Sequence, residues 1–93
     1  MGDKMETDWL IKKLTIEEAE TLNMVTDKRL GPEPVPFGFI NQAWRNLKSL
    51  IQEGDELWEF SSPKVTWECL AGREGIVLIR KGKEITHIIT REN

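Results

Sequence analysis

The stretch GIVLIRKGKEITHIIT, residues 75–90, decides the fold of this 93-residue chain. Two apolar runs, residues 76–79 and 85–89, flank the dipeptide Lys81-Gly82. Two apolar segments joined by a two-residue turn that contains glycine are typical of a β-hairpin. The pairs expected in this hairpin are Leu78 with Ile85, Ile76 with His87, and Ile79 with Glu84.

Both faces of this hairpin are apolar in the expected register. One face carries Ile76, Leu78, Ile85 and Ile89, and the other carries Val77, Ile79 and Ile88. An apolar sheet face needs a cover, because large exposed apolar patches are rare on monomers. Helices of the length predicted below suffice for one face. We expect the second face to be covered by the first helix or to meet another chain.

The pattern upstream of the hairpin predicts a strand over residues 55–60. Trp58 and Phe60 share one face of it, and Leu57 and Glu59 share the other, because side chains alternate along a strand. A short helix is expected to follow, with Ser62 at its N-cap, Pro63 at its first position and Gly72 past its end.

Residues 39–53 carry the strongest helical pattern, because apolar residues recur there at helical spacing. Asn41 is suited to cap the start of this helix, and Gly54 is suited to end it. The preceding segment, residues 31–38, contains three prolines at alternate positions. We expect it to be an extended connection within one domain.

The N-terminal part of the chain predicts a strand over residues 8–14 and then a helix. The tetrapeptide TIEE, residues 15–18, is a capping box that marks the start of the helix. Its expected buried stripe is Ile16, Ala19 and Leu22, with Val25 as a further candidate. Lys28 and Arg29 suit its C-terminal end, and Gly31 lies beyond.

The predicted element order is therefore β-α-α-β-α-β-β. This order predicts an α+β fold with a mostly antiparallel sheet of three to four strands and two to three helices. We expect a single domain over residues 8–93, preceded by a loose tail over residues 1–7.

The composition of the chain limits the kinds of molecule that we expect it to bind. The net charge is −3, and one cysteine rules out a disulfide within the chain. The N-terminal segment has no apolar stretch typical of a signal peptide, and no run has the length of a membrane span. We expect a cytoplasmic protein that binds neither membrane nor nucleic acid. The C-terminal basic cluster is small and is interrupted by Glu74 and Glu84.

The residue types in this chain give little support for catalysis or for metal binding. One cysteine and one histidine cannot make a zinc site, so we expect no metal and no cofactor. Cys69 with His87 is the sole conceivable nucleophile–base pair, but we expect Cys69 to be a small buried thiol and His87 to lie at the margin of an apolar face. We predict no catalytic residue. Trp44, Trp58 and Trp67 are expected in the core, whereas Trp9 is undetermined.

The segments GDELWEFSSP (residues 54–63) and LAGREGIVLIRKGK (residues 70–83), with Trp67 between them, resemble a family of short, uncharacterised bacterial proteins. PFGFIN, residues 36–41, is similar to the same family. The resemblance covers about residues 34–90. It implies a cytoplasmic bacterial protein and no particular chemistry.

These observations favour a non-enzymatic protein-interaction module that binds a protein partner or forms a homodimer. The predicted interaction surface consists of Asp55, Glu56, Leu57, Glu59, Val77, Ile79 and Ile88. The alternative is a small-molecule-binding protein or small enzyme with a pocket between the 39–53 helix and the sheet. The residues expected to line that pocket are Arg73, Trp67 and His87.

Overall fold

The computed structural model describes residues 7–93, and their fold confirms the predicted α+β class. The predicted tail lies outside the described residues except for Thr7, which begins a 3-10 turn over Thr7–Trp9. The strands are β1 (Leu10–Leu14), β2 (Met24–Val25), β3 (Val35–Pro36), β4 (Glu56–Ser61), β5 (Arg73–Arg80) and β6 (Lys83–Glu92). The α-helices are α1 (Ile16–Leu22), α2 (Asn41–Ser49) and α3 (Lys64–Glu68).

Four of the strands form one antiparallel sheet in the order β1-β4-β5-β6. The predicted strands over residues 8–14 and 55–60 correspond to β1 and β4, and the predicted hairpin corresponds to β5 and β6. The short strands β2 and β3 form a separate antiparallel pair that the sequence pattern did not predict. One side of the four-stranded sheet packs against α1 and α2, through a core centred on Trp44 and Leu47.

The turn between β5 and β6 has the predicted residues at its tip. Lys81 has a φ of 54° and Gly82 a φ of 79°. Two successive residues with positive φ are typical of a type I′ turn, whose twist matches that of the flanking strands. Glycine adopts this backbone freely, whereas lysine does so at a steric cost.

We expect Lys81→Asn to stabilise the protein by about 0.5–1 kcal/mol, because asparagine tolerates the left-handed backbone better than lysine does. Urea unfolding followed by circular dichroism measures this change. Lys83→Asn, two residues along in the strand, is the matched control and should not stabilise. An unchanged or lower urea midpoint for Lys81→Asn would contradict the steric cost that we assign to lysine at this turn.

The register of the hairpin differs from the prediction beyond its first pair. Ile79 faces Glu84 as expected, but Leu78 faces Thr86 and Ile76 faces Ile88. The reason is a β-bulge that leaves Ile85 as an extra residue of β6. One extra residue moves every later side chain to the opposite face. Ile88 therefore lies on the helix side of the sheet and Ile89 on the other side, the reverse of the prediction.

A second bulge in the same hairpin requires a glycine. Glu74 faces Arg91 while Gly75 faces Ile89, so Thr90 is an extra residue of β6. A Cβ atom on Gly75 would lie 1.9 Å from the backbone oxygen of Ile88. No side chain fits at this distance, so only glycine allows the two strands to approach here.

Helix α1 begins as predicted but ends earlier. Thr15 is its N-cap, and both hydrogen bonds of the capping box with Glu18 are present. The helix was expected to continue to Lys28, but it ends at Leu22. Asn23 then donates a side-chain hydrogen bond of 2.8 Å to the Ala19 oxygen, and the chain turns into β2. Only Ala19 of the predicted stripe is buried, and both Ile16 and Leu22 are exposed.

Helices α2 and α3 are also shorter than expected. Asn41 is the first residue of α2 rather than its cap, and its side-chain amide donates to the Pro36 oxygen. The helix ends at Ser49, where the hydroxyl donates to a backbone oxygen one turn back. Pro63 is the N-cap of α3, whereas Ser62, the predicted cap, hydrogen-bonds to Thr66 at 2.6 Å.

The two longer helices are joined through a single carboxylate. Glu20 Oε2 accepts hydrogen bonds of 2.8 Å from the Trp44 indole nitrogen and from Lys48 Nζ. The bond from Lys48, and then the bond from Trp44, lower the pKa of Glu20 below its ordinary value of 4.5. The charged carboxylate therefore stabilises the folded state, and this stabilisation is lost as the pH falls below about 4.5 through the folded-state pKa.

We expect the unfolding midpoint in urea to fall between about pH 6.5 and about pH 3, in part because Glu20 becomes protonated. Glu20→Gln removes this titration, so its midpoint should fall less over the same interval. Glu53→Gln, at an exposed position, is the control and should fall as the unmodified protein does. An equal fall in all three proteins would contradict a stabilising role for the Glu20 charge.

Candidate interaction face of the sheet

The side of the four-stranded sheet opposite α1 and α2 carries a second apolar cluster. We call this side the outer face. Its residues are Trp9, Leu10, Trp58, Phe60, Val77, Ile79, His87 and Ile89. No residue of α1, α2 or α3 belongs to this cluster within the described part of the chain. Only strand residues and the turn residue Trp9 cover its centre.

Aromatic side chains surround the centre of the outer face. Phe60, Val77 and Ile79 are buried there. The Trp9 ring stacks on Phe60 with a centroid distance of 6.5 Å, and the His87 ring meets Phe60 edge-on at 5.9 Å. The larger side chains around this centre are only partly buried, so the outer face presents aromatic surface to its surroundings.

Two polar side chains on this face, those of Trp58 and His87, are already paired with carboxylates. The Trp58 indole nitrogen donates a hydrogen bond of 2.8 Å to Glu56, and Lys13 lies 3.4 Å from the same carboxylate. These two contacts lower the pKa of Glu56, the bond from Trp58 more than the bond from Lys13. Nδ1 of His87 lies 2.5 Å from Glu84. A partner that covered this face would therefore leave few of these atoms without a hydrogen bond.

The structure divides the predicted interaction surface between the two sides of the sheet. Val77 and Ile79 lie at the buried centre of the outer face, and Glu56 lies at its rim. Leu57 and Ile88 are buried on the helix side, so they do not share a surface with Val77. Alternation along β4 explains Leu57, and the bulge at Ile85 explains Ile88.

The two remaining acidic residues of that surface also lie apart. Glu59 is on the helix side of β4, opposite Ile76. The Asp55 side chain is 1% exposed and forms two hydrogen bonds of 2.9 Å with Arg80. Arg80 is the main cause that lowers the pKa of Asp55, and it also donates to the Leu50 oxygen. This pair fastens the end of α2 to β5 and is not an exposed acidic site.

The three predicted pocket residues take part in separate contacts. The Trp67 indole donates to Ser61 Oγ and to the Ser62 oxygen, each at 3.2 Å. The Arg73 side chain pairs with Glu92 at 3.2 Å. His87 is on the outer face. A groove beside Phe39, where the predicted 39–53 helix begins, has other lining residues. The binding of a small molecule therefore stays a prediction, but these three residues do not support it.

Burial differs from the prediction at three further residues. Cys69 was expected to be buried but is exposed, because it lies at the C-terminal end of the five-residue helix α3. Trp44 is fully buried as expected, whereas Trp58 and Trp67 are only partly buried. The alternation in β4 was the available signal for Trp58, because it places this residue opposite the side that carries Leu57.

Comparisons of the chain with protein-family models, with curated proteins and with solved structures find no match. None of the helices in residues 7–93 has the length and apolar character needed to cross a bilayer. The outer face is therefore interpreted from the geometry of this chain alone.

Proposed function

We propose that this protein is a non-enzymatic interaction module that associates with a second copy of itself through the outer face. The observation that supports the proposal is an aromatic-rich side of the sheet that no α-helix in residues 7–93 covers. Tryptophan and other aromatic residues are enriched at protein interfaces and contribute much of their binding energy. A second copy supplies the cover that α1, α2 and α3 do not.

The size of the face fits a small interface. Four strands at their usual spacing of about 4.8 Å make a surface about 19 Å across, and strands of five to ten residues are about 17–34 Å long. Stable interfaces bury about 800 Å² on each partner. Nearly the whole face must therefore be in contact, and a charge placed at its middle should weaken association strongly.

The mass in solution tests self-association. We expect light scattering coupled to size exclusion to give about twice the chain mass of 10.8 kDa as the concentration is raised. A mass of one chain at every concentration would overturn the proposal.

A charge substitution tests the surface. We expect His87→Lys to weaken self-association about tenfold or more, because the dimer must then bury an added charge on each copy. The variant keeps a partner for Glu84 and replaces an exposed side chain, so the fold should survive. Ala43→Lys places the same charge on an exposed position of α2 and is the control. Equal association of both variants would rule out the outer face as the interface.

A further inference from the structure

A groove on the helix side of the sheet lies apart from the centre of the outer face. We call it the Phe39 cleft. It has a volume of about 440 Å³ and is lined by Leu22, Asn23, Met24, Val25, Phe37, Phe39, Ile40, Ile89 and Thr90. Its wall therefore consists of the end of α1, the β2 strand, the turn before α2, and β6.

The Phe39 cleft gathers apolar side chains that the fold leaves in water. Leu22 is 59% exposed, Met24 45% and Phe39 62%. Single exposed apolar residues are ordinary, but several on one groove are typical of an interaction site. The early end of α1 at Asn23 is what brings Leu22 and Met24 to this groove.

A left-handed turn fixes the opposite wall of the cleft. Phe37 and Gly38 have φ values of 62° and 56°, and the Phe37 amide donates to the Asn23 oxygen at 2.7 Å. This turn places Phe37 in the core and leaves Phe39 exposed. A Cβ atom on Gly38 would lie 2.9 Å from Val25, so the wall is closely packed. Such strain in a bulky residue is common at binding sites.

The cleft continues into a smaller hollow with negative charge. This hollow has a volume of about 180 Å³, shares Leu22, Asn23 and Thr90 with the cleft, and is also lined by Glu59 and Glu74.

The two carboxylates of the hollow differ in whether the rest of the described chain pairs with them. Glu59 is partly buried, and no residue in the range 7–93 forms a hydrogen bond or ion pair with it. Glu74, in contrast, forms an ion pair of 3.6 Å with Arg91. Arg29 stacks over the Phe39 ring at 5.0 Å, but Asp27 already pairs with its charge at 2.8 Å. Lys12 faces Glu59 across the β1–β4 pair but forms no ion pair with it. A cation in the hollow would therefore meet one carboxylate, that of Glu59, with no ion-pair partner in residues 7–93.

We propose that the Phe39 cleft binds an extended segment of a partner protein in which apolar side chains adjoin a lysine or arginine. The apolar side chains pack on Leu22, Met24 and Phe39, and the cation pairs with Glu59. The open shape favours a peptide, because compact ligands are usually enclosed over most of their surface. This inference goes beyond self-association and does not require it, since Ile89 alone of the residues that line the cleft belongs to the outer face.

A titration with short peptides, followed by amide chemical shifts of the labelled protein, tests the proposal. The probe is Ac-GSLFKSG-NH2, and the comparison peptide, Ac-GSLFESG-NH2, carries glutamate in place of lysine. We expect the lysine peptide to shift the amide signals of residues 22–25, 37–40 and 89–90, and to bind about tenfold or more tightly than the glutamate peptide. Shifts that map elsewhere, or equal binding of both peptides, would overturn the proposal.

Substitutions separate the two parts of the cleft. Phe39→Ser should weaken binding of both peptides, whereas Val65→Ser, at another exposed apolar residue, should weaken neither. Glu59→Gln should reduce the preference for lysine without abolishing apolar binding, whereas Glu53→Gln should leave the preference unchanged. If the Glu59 and Glu53 variants behave alike, the carboxylate does not recognise the cation.

Two further arms identify the occupant and separate this proposal from self-association. Hexylamine has an apolar chain and a cation, as the lysine peptide does. If it binds as tightly as the peptide, the cleft is a site for small amines instead.

The peptide titration is repeated with the His87→Lys variant. Retained peptide binding in a monomeric protein is the expected result, and loss of binding there would show that the cleft is not an independent site. A wild-type protein that is monomeric yet binds the peptide would overturn only the proposed homodimer.

Discussion

The burial of Trp44 is the constraint on which the helix layer depends. Its side chain is fully buried, its ring stacks on Phe37 at 4.6 Å, and its indole nitrogen is bonded to Glu20. A tryptophan buried this deeply needs a partner for its N–H group, and the partner comes from the other long helix. One side chain therefore joins α1, α2 and the turn before α2. Without the Trp44 side chain, α1 and α2 would lose the contacts that align them on the sheet.

The same arrangement explains why the two sides of the sheet differ so strongly. The α-helices have only five to nine residues each, and the two longer ones, α1 and α2, both pack on one side of the sheet. The outer face must then shield its own centre with large side chains from its own strands and from the turn before β1, Trp58 and Trp9 above all. This solution buries Val77 and Phe60 but leaves aromatic surface in contact with water. The surfaces proposed for self-association and for peptide binding therefore meet only at Ile89, on the edge strand β6.

Local chemistry was predictable from the sequence, whereas long-range geometry was not. The capping box at Thr15 and the Lys81-Gly82 turn involve neighbouring residues, and both are present. The bulge at Ile85 depends on pairing between two strands and has no marker in the residues themselves. It moved Ile88 to the helix side, and with it part of the predicted surface. The Phe39 cleft escaped prediction because its wall depends on where α1 ends.

The bulges have a further consequence for the edges of the sheet. β6 is a ten-residue edge strand that is rich in isoleucine and threonine and lacks proline, a composition prone to fibril formation. Extra residues at Ile85 and Thr90 interrupt its regular row of donors and acceptors. β1, at the other edge, has its own irregularity at Ile11 and exposes Lys12 and Lys13. Neither edge is a straight template, so the chain is protected against runaway growth of the sheet from molecule to molecule.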